Sequence, residues 1–140
     1  MPFLEEFRTI RARSTEYSDV DLSFQINPVT NDIAKRKDAA AVRQSVLNIL
    51  LTNRGERPFD ENFGANIRSL LFENFHPAMA EMVKQQVRQA IKRDEPRVSI
   101  RDIVVNDLSD QNAIEVRVEV QIKSPEPVIV EVQFTVERQR

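Results

Sequence analysis

The chemistry open to this chain is bounded by its side-chain inventory: 22 Asp plus Glu, 20 Lys plus Arg, one His and no Cys in 140 residues. Without Cys there are no thiolate nucleophiles, zinc–thiolate sites or disulfides, and a lone His removes any centre that needs two imidazoles. Catalysis would rest on carboxylates, Lys, Ser or Thr, or on a hard cation held by oxygen ligands. Two groups of carboxylates stand close in sequence. Asp19 and Asp21 share one face if their segment is a strand, and Glu56, Asp60 and Glu61 crowd one loop. Either could supply an acid/base pair or hold a divalent ion. Neither has the D-x-D-x-D-G spacing of a calcium loop with its following Glu, so an ion-paired or solvated surface is the simpler reading. His76 directly precedes Pro77, where capping or packing suits it better than general-base work. There is no G-x-x-x-x-G-K-[ST], G-x-G-x-x-G or G-x-S-x-G, and two glycines, Gly55 and Gly64, are too few for a phosphate-cradling loop. No cofactor and no metal are expected.

The elements that would position these residues follow from periodicity. Residues 1–18 interleave Arg8, Arg11 and Arg13 with Phe3, Phe7 and Ile10, the pattern of an arm or a short amphipathic helix. Val20, Leu22, Phe24 and Ile26 then alternate with polar residues, as in a half-buried strand, and 27–32 reads as a turn. Asp38 is a candidate N-cap for a helix over about 38–53, with Val42, Val46, Ile49 and Leu50 at helical spacing and Gly55 as the stop. Ile67, Leu70 and Leu71 mark a shorter helix. A third begins at Pro77 and ends near Asp94, because Pro96 disfavours helical geometry at Glu95. Beyond it the period changes to two. Val98 through Val105, Ile114 through Ile122 and Val128 through Val136 predict three strands, the first with a bulge near Arg101-Asp102 where its apolar phase slips. The fold class is α+β: about three helices on one face of a small, mainly antiparallel sheet, made of the C-terminal three-strand meander plus the N-terminal strand. Residues 19–140 form a single domain.

Composition agrees with this reading and narrows the partners. A net charge of −2 offers no cationic excess to neutralise phosphates, so nucleic acid is not expected as a partner. No apolar run approaches a membrane span, and the first residues lack the pattern of a secretory signal, so no membrane partner and synthesis in a reducing cytoplasm are expected. What stands out instead is suited to binding protein. Phe59, Phe63, Phe72 and Phe75 cluster around the second helix, chiefly to complete the core, with one or two left exposed to a partner. Glu95-Pro96-Arg97 holds opposite charges at a stiff helix-to-strand junction, either as a helix stop with two solvated charges or as a site for bidentate pairing with a partner carboxylate. The last strand is a candidate sheet edge, open to strands from other chains.

Read in order, these segments resemble a known family: the small wedge proteins of contractile-tail baseplates, often labelled tail lysozyme-like, found in myophages and in type VI secretion. The resemblance spans 17–137 and is carried by Tyr17-Ser18-Asp19-Val20-Asp21-Leu22, by Asn27-Pro28-Val29-Thr30-Asn31-Asp32-Ile33 and by Thr52-Asn53-Arg54-Gly55-Glu56-Arg57-Pro58-Phe59. Phe63-Gly64, Leu70-Leu71-Phe72-Glu73 and Glu95-Pro96-Arg97-Val98 complete it. It implies a non-enzymatic baseplate component of the virion tail that initiates the sheath. Strands of the tail sheath protein would add to the sheet around 114–137, with Val128, Val130, Val132, Phe134 and Val136 as the contacting strand. It further implies that Glu95, Pro96 and Arg97 dock to the helical core bundle of the wedge, with tail tube or hub proteins as further neighbours. The family label also raises peptidoglycan hydrolysis, but no carboxylate pair is singled out for it and no Trp is present to stack a sugar.

Overall fold

The computed structural model describes residues 17–33, 35–72, 75–124 and 127–137. The expected N-terminal arm, residues 1–18, lies outside these apart from Tyr17 and Ser18. In chain order the elements are β1 (Ser18–Val20), β2 (Lys35–Lys37), α1 (Asp38–Leu51), α2 (Ile67–Leu70), α3 (Pro77–Asp94), β3 (Val98–Leu108), β4 (Ala113–Ile122) and β5 (Ile129–Glu137). Three helices and an antiparallel meander of order β3-β4-β5 match the expected α+β class.

The meander forms where period two is strict. In β4 and β5 every second residue is buried, and Val116, Val118, Val120 and Val132 are at most 1% exposed. The register shift in β3 lies between Ile100 and Asp102, where the apolar phase slips. The chain turns into β4 through Asn112, whose φ of 53° is a left-handed conformation that Asn tolerates. Against the apolar face of the sheet lie Val42, Val46, Ile49 and Leu50 of α1 and Met79, Val83, Val87 and Ile91 of α3, all in one core cluster. Each such side chain contributes about 1.5–3 kcal/mol on leaving water. α3 begins as its sequence dictates. Pro77 occupies the first turn, and the Met79 N–H donates to His76 Nδ1 at 3.1 Å, which gives the single histidine a capping role.

The N-terminal segment departs from its alternation. A strand is present, but β1 ends at Val20 and pairs with β2 in a separate two-stranded ribbon, leaving Leu22, Phe24 and Ile26 48–66% exposed. The helices already cover the apolar face of the meander, so these residues have no sheet to pack on, and Phe24 turns into the left-handed region at φ 52°. An isolated bridge between Ile26 and Ile33 closes the 27–32 turn, helped by the Val29 N–H donating to Asn27 Oδ1 at 2.9 Å. The aromatic cluster divides as well. Phe63 and Phe75 pack against the core, whereas Phe59 and Phe72 are exposed, so the core-completing role holds for only half of the four.

Candidate functional site

Two places could engage a partner: a cleft at the α3–β3 junction and the free edge of β5. The junction is built by Pro96, which stops α3 and sends the chain into β3 within three residues. Glu95 is buried, only 2% exposed, which corrects the reading of two solvated charges. It is buried because the Arg97 guanidinium folds back on it, Nε donating to Oε1 at 2.6 Å and Nη2 to Oε2 at 2.7 Å, while the Ser45 hydroxyl of α1 also donates to Oε2. Burial pushes the Glu95 carboxyl up, but these bonds outweigh it and hold the carboxyl below its ordinary value. Arg97 Nη2 also reaches Asp19 Oδ2 at 3.2 Å, and the guanidinium lies 5.3 Å from the centre of the Tyr17 ring. One ion pair thereby joins β1, α1, α3 and β3. The Gln44 amide clamps the ribbon further, donating to the Val20 carbonyl at 2.8 Å.

Around this junction opens a cleft of about 850 Å³, bordered by Asp19, Asn48, Thr52, Arg57, Pro96 and Arg97. Its far lip is the loop between α1 and α2, and Gly64 explains how that loop closes. At φ 101°, with any Cβ falling 2.4 Å from the Thr52 carbonyl oxygen, only glycine fits there. The Gly64 N–H donates to Asp94 Oδ2 at 3.1 Å, and Arg93 Nη2 donates to the Gly64 carbonyl at 3.2 Å, so the loop is tied to the end of α3. Phe59 stands on the loop in the left-handed region at φ 68°, fully exposed. The carboxyls of Glu56, Asp94 and Glu95 are all drawn below their ordinary values: Glu56 by the Asn53 N–H, and Asp94 by Arg93 and the Gly64 N–H against the upward push of its burial. A glycosidase acid needs the opposite displacement.

At the second place, sheet order leaves β5 paired only with β4 among the described residues. Val130, Val132, Phe134 and Val136 are buried, and Val128 precedes the strand, 45% exposed. The Ile122 N–H donates to the Val128 carbonyl at 2.9 Å, which sets the phase of the ladder. Because antiparallel partners alternate between bonded and non-bonded pairs, the even residues of β5 turn their main-chain groups toward β4. Those of Ile129, Glu131, Gln133, Thr135 and Glu137 point away from the sheet. The five residues expected to contact a sheath strand are therefore occupied by core and ladder, and it is the intervening five that face the edge. Sequence could have revealed this parity only with the ladder phase known. Ser45, fifty residues from Glu95, left no sequence signal either.

A family model described as baseplate wedge protein gp25 matches residues 36–139. The chain belongs to the gp25 family of baseplate wedge proteins. That membership places it in the tail baseplate of a contractile virion. The baseplate wedge protein gp25 of Enterobacteria phage T4 is 33% identical over 82 residues, which cover 59% of this chain and 61% of that protein's length. Solved structures share the fold at lower identity. A candidate tail lysozyme of Geobacter sulfurreducens aligns with a TM-score of 0.65 and 18% identity, over 71% of this chain and 89% of its own. A chain of the anti-feeding prophage baseplate gives 0.62 and 19%, over 86% of each chain. A chain of the postcontracted pyocin R2 baseplate gives 0.56 and 17%, over 88% of this chain and all of that one.

Proposed function

We propose that this chain is a non-enzymatic wedge component that starts the tail sheath by accepting a sheath strand at the β5 edge, and that it docks to the helical core bundle of the wedge through the Pro96–Arg97 side of the cleft. The observation that carries the reading is the row of outward main-chain groups on Ile129, Glu131, Gln133, Thr135 and Glu137, along a strand whose other side is complete. At the cleft, Glu95 serves as the anchor that orients Arg97. Arg97 Nη1 makes no hydrogen bond to the described residues, and Pro96 is exposed, so the partner would meet a stiff backbone and a guanidinium already aimed. The hydrolase alternative finds no support in the cleft, whose displaced carboxyls are held ionised.

The test is Gln133→Pro. Proline there removes an outward N–H and leaves the bonds to β4 intact, since Gln133 faces Arg117 in a non-bonded pair. The variant should fold normally by circular dichroism, and tails assembled with it should show baseplates and tubes without sheath in electron micrographs. Sheathed tails at the wild-type level would refute the edge reading.

A further inference from the structure

The open face of the sheet contains a charge conflict that the chain leaves standing. Register sets Glu119 of β4 directly opposite Glu131 of β5. The ladder phase makes this a non-bonded pair, in which facing side chains come closest and like charges repel. Arg117 Nε lies 3.0 Å from Glu131 Oε1, and Glu119 has no ionic partner among the described residues. Nearby, the carboxyl of Glu115 accepts from Asn106 at 2.9 Å and also from Gln133. Within the paired strands Asp102, Glu115, Glu119, Glu131 and Glu137 thus share the outer face with Arg117, and Arg101 sits exposed at the bulge.

A strand added at the β5 edge would pair with the odd residues of β5, whose side chains lie on this same outer face. Directly opposed residues in antiparallel strands point to the same side of a sheet. Resting on the strand-accepting reading, we propose that the β5 edge selects a partner strand carrying Lys or Arg directly opposite Glu131. Such a residue supplies a second cation beside two carboxylates that share only the Arg117 contact among the described residues. The same charges act against the simplest competitor. A second copy of β5 would bring its own Glu131 and Glu137 to the edge, so self-pairing is disfavoured, as charged edge strands achieve generally.

The probes are blocked peptides of 9 residues, the length of β5, alternating Thr and Val with a central Lys, Gln or Glu, titrated against the full chain by fluorescence anisotropy. Affinity should fall in the order Lys, Gln, Glu, with up to about fivefold between Lys and Gln, the range of a cross-strand charge pair. The spread should shrink at roughly 0.5 M salt. Glu131→Lys should invert the order. Equal affinities, or an order that Glu131→Lys leaves unchanged, overturn the charge selection while leaving the edge reading in place. Binding of none of the three overturns both.

Discussion

Arg97→Ala strips two hydrogen bonds, of 2.6 and 2.7 Å, from a carboxylate that is 2% exposed. Removing one partner of a fully buried ion pair costs about 3–5 kcal/mol, because the other charge stays behind without compensation. Here the Arg97 side chain is 24% exposed, so water can enter the vacated space, and Ser45 keeps its bond to Glu95. The expected loss is therefore about 2–3 kcal/mol, or about 5–10 °C in Tm for a domain of this size. Urea unfolding at neutral pH, followed by circular dichroism, measures it. Glu95→Gln combined with Arg97→Met should recover most of the loss, since no lone charge remains. The pH dependence has a definite sign. The folded Glu95 carboxyl lies below its ordinary 4.5, so its stabilisation is complete above that value and is lost as pH falls through the folded one. The gap between wild type and Arg97→Ala should be widest at neutral pH and narrow in acid. A loss under about 0.5 kcal/mol at neutral pH, the range of ordinary surface changes, would refute the argument, as would a gap indifferent to acid. Two solvated charges at this junction would let Arg97 be removed with the fold intact. The buried carboxylate beside it changes that expectation.

Gly64→Ala should destabilise by about 2 kcal/mol or more, through the clash with Thr52 and the strained backbone, whereas Gly55→Ala at φ 81° in open space should cost only about 1–2 kcal/mol, both read by thermal melting. His76→Ala should cost about 1 kcal/mol through loss of the α3 cap, and His76→Asn should restore most of it in the same melt. Phe59→Ser should shift stability by no more than about 0.5 kcal/mol, since the ring is fully exposed among the described residues. If the cleft lip meets the core bundle, that variant should still be recovered less well in pull-downs with wedge proteins; equal recovery would remove Phe59 from the interface.

The meander was legible because period two ran without interruption, and the break in its phase at Arg101 marked the bulge. α3 was legible because Pro77 and Pro96 bound an amphipathic run. The N-terminal segment misleads because alternation records only that one face is apolar. Whether that face finds a sheet depends on what the helices already cover, and Phe24 and Ile26 were left outside. Glu95 was legible as a candidate residue and illegible as a buried group. Its burial depends on a fork from Arg97 and a hydroxyl on another helix, neither of which local spacing reveals. The edge residues were missed by one position for a related reason, since an apolar pattern identifies the core side of a strand and is silent about which main-chain groups remain open.

That one-residue offset divides β5 into two independent alphabets. Even positions answer to the domain's own interior, while odd positions lie on the outer face with their main-chain groups turned to the edge. On the proposed strand-accepting reading, substitutions at Glu131 or Gln133 would retune the recognised strand without disturbing the hydrophobic layer, and repacking at Val132 or Phe134 would leave recognition unaltered. On that reading a single nine-residue segment would be re-addressed to a different assembly while the body that bears it stays the same.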